Sequence, residues 1–169
     1  MDAAEPRPAT EVAESRPATE LEALRIVNTY VGWSAGAGLI PIPLVDMAAI
    51  AGVQLKMIHA LSKFYGIPFS REVAKSVIGA LVGGGGSSML AAPAASLVKI
   101  VPLVGQIAGI LTEPALAAAS TYALGRVFTQ HFETGGTLLN FDAEALRRYY
   151  KEQFTMAKDG QQRTAAKNE

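Results

Sequence analysis

A chain of 169 residues is long enough for one domain with tails. Half of it is apolar, aromatics supply only 7%, and the formal net charge is zero, so the electrostatic footprint of a nucleic-acid-binding protein is missing. There is no cysteine, which excludes disulfides and thiol chemistry and fits a cytoplasmic setting.

Charge is unevenly placed. Residues 1–26 carry six acids and three bases, residues 27–125 three acids and five bases, and residues 126–169 six acids and seven bases. A charge-poor Ala/Gly block thus lies between two polar ends, the composition of a membrane-facing or closely packed helical segment. The acidic, Pro-rich start has no basic run followed by an apolar one, so a cleaved secretory signal is not expected.

Residues 1–18 read as a disordered acidic tail, in which Arg-Pro-Ala-Thr-Glu occurs at Arg7–Glu11 and again at Arg16–Glu20. Thr19 starts a helix with Ser/Thr-x-x-Glu capping spacing, and Leu21, Leu24, Val27 or Asn28, and Val31 follow at helical steps. Pro41 and Pro43 then break regular helix, leaving Leu39 to Asp46 as an apolar turn. Asp46 is placed to cap a second helix. Its apolar stripe is Met47, Ile50, Gln54, Met57, Leu61 and Phe64, and Lys56, His59 and Lys63 share another face. Gly66 and Pro68 end it, and Ser70 opens a third helix.

The third helix enters Val77–Val98, 22 residues without a charge, with Gly83 to Gly86 at their centre. Four glycines in a continuous helix would each cost about 1 kcal/mol relative to alanine, so a bend or re-entrant tip is expected there. The seven Leu, Ile and Val residues of this stretch supply only about −2 to −4 kcal/mol of insertion energy, a marginal span. A second apolar proline turn, Ile100 to Gly105, follows Lys99. Ala115 to about His131 is an Ala-rich helix ended by Gly135 and Gly136. Asn140 or Asp142 caps a last helix from Ala143 to about Ala157, striped by Leu146, Tyr149, Tyr150 and Phe154, with Arg147, Arg148, Lys151 and Glu152 exposed. Residues 158–169 read as a disordered polar tail.

Ile42–Asp46 resembles Val101–Gly105, and Ala60–Tyr65 resembles Ala123–Phe128, which suggests an internal pseudo-repeat of two helical hairpins. Gly-x-x-x-Gly spacing recurs at Gly32/Gly36, Gly79/Gly83 and Gly105/Gly109, placing two glycines on one helix face for close packing within the chain or between copies.

Three segments resemble a bacterial family, domain of unknown function 697. They are Gly38–Asp46, Gln54–Gly66 and Ser120–Gly136, and the likeness covers about residues 22–155. The resemblance implies a membrane-associated helical domain, found alone or after an Era- or dynamin-like GTPase domain, with no established activity. This chain has no Gly-x-x-x-x-Gly-Lys-Ser/Thr loop, so a GTPase partner would be a separate chain.

No nucleophile elbow, metal-ligand spacing or dinucleotide loop is present, so neither an enzyme nor a cofactor is expected. Asp46 reads most simply as a cap, with Asp46 or Glu113 as a buried functional acid the sharper alternative. The expectation is an all-α fold of helical hairpins with two apolar, Pro-containing turns and Gly/Ala-rich packing over residues 19–157. Its function is expected to be that of a non-enzymatic module on the bacterial cytoplasmic membrane, with polar ends on the cytoplasmic side. Membrane contact falls to Trp33, Leu39, Ile40, Pro41, Ile42, Pro43, Val101, Pro102 and Leu103. Arg147, Arg148 and Lys151 would meet lipid headgroups or a partner. The expected partners are membrane lipids, further copies of the chain and a separate GTPase, with no nucleic acid. The alternatives are a soluble homo-oligomeric scaffold and a carrier of an apolar ligand. Val77→Asp would, on this reading, release the protein from membranes.

Overall fold

The computed structural model describes residues 9–39, 45–83 and 113–167. Among these the chain is all-helical, with no strand. The helices are α1 (Ala9–Ala37), α2 (Val45–Phe64), α3 (Arg71–Val82), α4 (Glu113–Glu133) and α5 (Ala143–Lys167). The second proline turn, most of the four-glycine run, and Gly105 and Gly109 lie outside the described residues.

The bundle is organised around α4, which packs against all four of the other helices. α1 runs antiparallel to it: Val27 meets Gly125, Ser34 meets Ala117 and Thr121, and Gly38 meets Pro114. α2 runs parallel to α4, with Asp46 beside Glu113, Gln54 beside Thr121 and Tyr65 beside Glu133. The core between them holds Val27, Met57, Ile58, Leu61, Leu81, Leu124, Val127 and Phe128.

Small residues set the spacing. A Cβ on Gly125 would lie 2.5 Å from Val27 Cγ1, and one on Gly38 would lie 2.9 Å from the Pro114 Cα. Together with the buried Ala117, Ala118, Ala119 and Ala123, these positions let α1 approach the α4 backbone closely. The buried line of α1 is accordingly Ala23, Val27 and Ser34, continued by Gly38 just past its end, whereas Leu21 and Asn28, expected on the stripe, are exposed. The stripe of α2 is also rotated: Ile58 and Ser62 join Gln54, Met57 and Leu61 inside, and Met47 is exposed. Lys56, His59 and Lys63 face outward as expected.

Two helices end alike. Gly66 and Gly135 adopt φ of 68° and 83°, the left-handed region. Ile67 N–H donates to the Ser62 carbonyl and Gly66 N–H to that of Lys63; Gly136 N–H donates to His131 and Gly135 N–H to Phe132. These are paired Schellman closures, in which an αL glycine satisfies carbonyls the helix leaves open. The His131 ring covers Gly136, its Nε2–H donates to the Thr137 carbonyl at 2.9 Å, and it meets Phe141 edge-on. Asp142, not Asn140, caps α5: its Oδ1 accepts from the N–H groups of Glu144 and Ala145, both at 3.0 Å. Asn140 instead binds Thr137 N–H within the turn. Asp142→Ala is expected to cost about 1 kcal/mol in urea denaturation, the usual price of a lost cap.

Helix lengths differ from those expected at both ends of the chain. α1 starts at Ala9, so Thr19 lies within it; Ala, Glu and Arg favour helix here, and Pro17 removes one hydrogen bond without ending it. α5 continues past Ala157 through Lys167, because Gln, Arg, Ala and Lys outweigh the single Gly160. Ser70 occupies the N-cap of α3, with no side-chain hydrogen bond.

Val77–Val82 forms the end of α3, and residues 84–98 of the uncharged stretch lie outside the described residues. Ala74, Val77, Ile78 and Leu81 are buried in the core, while Lys75, Ser76 and Gly79 face outward. Val77→Asp therefore places a carboxylate in the core and unfolds the bundle, so it does not test membrane contact.

Candidate functional site: the apolar end of the bundle

The C-terminus of α1 and the N-termini of α2 and α4 converge at one end, held by Gly38 against Pro114 and by Asp46 against Glu113. Large apolar side chains are exposed there. Leu39 is 71% exposed, and Val45 and Met47 are each 49% exposed. Residues 40–44, Ile-Pro-Ile-Pro-Leu, join α1 to α2 at this end. Trp33, 55% exposed, stands about one turn below on α1, with its ring edge-on to Tyr30 at 5.0 Å. Scattered exposed apolar residues are ordinary; several at the mouth of one apolar connection form a patch.

Two carboxyls belong to this end, one buried and one exposed. Asp46 is 3% exposed and accepts the Met47 N–H at 2.7 Å. Glu113, at the start of α4, is exposed. The neighbouring Asp46 carboxyl as a hydrogen-bond partner, then desolvation, then the Asp46 charge push the Glu113 carboxyl above its ordinary value.

Beneath the pair runs a buried polar column. Gln54 Nε2 donates to Thr121 Oγ1 and to Ser120 Oγ, both at 3.3 Å. Thr121 donates to Ser34 Oγ at 2.7 Å, and Ser34 donates to the Ala117 carbonyl at 3.2 Å. Ser120 and the Tyr150 hydroxyl are 3.0 Å apart. Four helices are thus tied by hydroxyls and one amide, each of which would be costly if left unpaired. Burial raises the Tyr150 hydroxyl above its ordinary value, so it stays neutral as a partner in this column. The column was not foreseen as a unit. Its signal in the sequence was Gln54 in the middle of an apolar stripe, since a polar group on a buried face needs partners.

The basic patch is divided. Arg147 is half-buried, and its Nη2 donates to the Ala80 carbonyl at 3.2 Å, satisfying the C-terminus of α3. Arg148 and Lys151 remain exposed, with Glu152 4.0 Å from Arg148. Gly32, Gly36 and Gly79 are exposed and have open space about their Cα atoms, and Gly83 closes α3 through its N–H to Gly79. The expected membrane residues Ile40 to Pro43 and Val101 to Leu103 lie outside the described residues. Among the described residues no group of three potential metal ligands assembles, and no helix is long and apolar enough to cross a membrane. A groove of about 300 Å³ lies between α1, α4 and α5, lined by Val31, Tyr122, Gln153, Met156, Ala157 and Gln161.

The family model described as Domain of unknown function (DUF697) matches residues 11–159. The chain belongs to this family. DUF697 membership thus meets the expectation carried by the Gly38–Asp46, Gln54–Gly66 and Ser120–Gly136 segments. The chain is also similar to Magnetosome membrane protein 22 of Magnetospirillum gryphiswaldense, at 44% identity over 141 residues, covering 82% of this chain and 71% of the relative. No solved structure matches this DUF697 chain.

Proposed function

We propose that the chain is a non-enzymatic, membrane-associated helical module whose apolar end meets the bilayer. The observation that carries this reading is the exposure of Leu39, Val45 and Met47 at the end where α1 is followed in sequence by Ile-Pro-Ile-Pro-Leu and α2. The name of the similar magnetosome membrane protein supports it. Contact is made by burying the tip, with Trp33 at the headgroup level, where its amphipathic ring is favoured. The bilayer is the bacterial cytoplasmic membrane or, by the relative's name, a magnetosome membrane. The bulk of the bundle and its polar ends stay on the cytoplasmic side.

In the same reading, exposed Gly32, Gly36 and Gly79 offer flat helix surfaces to further copies, and Arg148 and Lys151 to anionic headgroups or a partner such as a separate GTPase. Fractionation of expressing cells tests the core of the proposal. The protein is expected to sediment with membranes in ultracentrifugation and to need detergent for release. Recovery as a discrete detergent-free oligomer would overturn it in favour of a soluble scaffold.

A further inference from the structure

α5 reaches the apolar end because it runs antiparallel to α4. Phe141, just before α5, stacks on Phe128 at 4.7 Å, whereas Tyr150 lies 3.0 Å from Ser120, nearer the start of α4. Seven steps back from Ser120 reach Glu113, and seven steps on from Tyr150 reach Ala157. Both helices rise about 1.5 Å per residue, so Ala157 to Lys167 stands at the level of the α4 start. Met156, Ala157 and Gln161 line one groove with Val31 and Tyr122, which keeps this half of α5 beside α1 and α4. Leu39 and Met47 are set at the same level by Gly38 against Pro114 and by Gln54 against Thr121.

This half of α5 carries Lys158, Arg163 and Lys167, the last two exposed and the first half-buried. Arg163 and Lys167 are four residues apart and share a helix face, and Thr164 Oγ1 donates to the Gly160 carbonyl at 3.0 Å along the same turns. None of the three cations stands in an ion pair among the described residues, whereas Lys75, Arg126 and Arg148 lie beside Glu72, Glu20 and Glu152. The other helices bring no cation to this end. α1 has no charged residue from Ile26 to Leu39, the first cation of α2 is Lys56 and that of α4 is Arg126. Arg71 and Lys75 begin α3, after α2 has ended at the opposite end of the bundle. The acids at this level are Asp159, Glu113 and the buried Asp46.

We propose that Lys158, Arg163 and Lys167 meet anionic phospholipid headgroups, so that the apolar end docks selectively on a negatively charged bilayer. The inference rests on the membrane reading above and names the lipid class that this end takes. Long Lys and Arg stems let the charged heads stay in the polar layer while the apolar rim beside them enters the acyl boundary. Asp46 opposes this little, because its carboxylate is turned inward onto the Met47 N–H. Glu113 and Asp159 offset part of the attraction, so the result is a graded selectivity. Arg148 and Lys151 stand near Tyr150, about 10 Å farther from the rim, a distance greater than the depth of one headgroup layer. The distal cations therefore reach the headgroups first.

Flotation of the full chain tests this, with vesicles of phosphatidylcholine alone and of equal parts phosphatidylcholine and phosphatidylglycerol. Wild type is expected to bind the mixed vesicles about tenfold more strongly, each cation at the anionic surface adding a few-fold and the two acids removing part. That gain should shrink as salt rises from about 0.01 M to about 0.15 M, which shortens the screening length from about 30 Å to about 8 Å. Arg163→Gln combined with Lys167→Gln changes exposed positions only, and should cut the gain to about twofold while leaving binding to phosphatidylcholine as it was. Arg148→Gln combined with Lys151→Gln should keep most of the gain, and circular dichroism shows that each variant is folded. Equal binding of wild type to the two vesicles, an undiminished gain in the Arg163/Lys167 variant, or equal losses in the two variants would overturn the headgroup assignment while leaving the membrane reading intact. Absence of binding to either vesicle would overturn both.

Discussion

Gly125→Ala is expected to lower the unfolding free energy by about 1–3 kcal/mol, and Gly125→Leu to abolish the folded bundle. A Cβ at Gly125 would sit 2.5 and 2.7 Å from the two methyls of Val27, and Val27 is fully buried. Neither partner can swing away: the methyls belong to a short branched side chain on α1, and the new atom is fixed to the α4 backbone. Alanine gains up to about 1 kcal/mol of helix propensity over glycine, which the clash exceeds. A total stability of about 5–15 kcal/mol leaves little room for leucine's three further carbons in the α1–α4 contact. Urea denaturation followed by circular dichroism measures the effect. Val27→Ala in the Gly125→Ala background should recover part of the loss, giving a favourable coupling between the two sites. A midpoint for Gly125→Ala at or above that of wild type would mean that the close approach of α1 and α4 does not constrain the fold.

The largest functional effect is expected for Leu39→Asp combined with Val45→Asp. Both side chains are exposed, at 71% and 49%, so the melting behaviour of the bundle should change little. A central aspartate costs about 2.5–3.5 kcal/mol on the insertion scale, and the interface exacts a part of that. Two such changes should weaken vesicle binding about a hundredfold, or close to 3 kcal/mol. Leu139→Asp is the matched control, because Leu139 is 86% exposed in the turn between α4 and α5, beside the Schellman end of α4. Equal loss from the control and the tip variant would show that surface charge in general, and not this end, governs binding.

The elements that were legible in the sequence are those written in local chemistry. Gly66 and Gly135 mark helix ends because only glycine takes their backbone conformation cheaply, and such a mark survives any tertiary arrangement. The Asp142 start of α5 was readable because its cap bonds are local, whereas Ser70 stands at the start of α3 without a side-chain cap bond. Rotation about helix axes was not. The buried face of α1 was decided by Gly125 and the alanines of α4, roughly 100 residues away in the chain, so Ala23 and Ser34 displaced Leu21 and Asn28 from the core. The same long-range term places Val77 inside and pairs Asp46 with Glu113, two acids that the sequence offered only as separate candidates. Arg147 and Arg148 are adjacent in sequence, yet one closes α3 and the other faces outward, a split that depends on where α3 ends.

Two kinds of glycine can be told apart among the described residues, and the difference gives a way to separate folding from recognition. Gly38, Gly125 and Gly136 are held at contacts that a methyl would disrupt. Gly32, Gly36 and Gly79 lie on helices with nothing within 4 Å of an added Cβ. Alanine at these three should therefore make the isolated protein more stable, by up to about 1 kcal/mol each, since glycine is the poorer helix former. Their retention carries a cost that the lone bundle does not recover. A variant that melts later but no longer associates would locate the surface on which another molecule's backbone comes to rest, because only a docking partner would meet the added methyl.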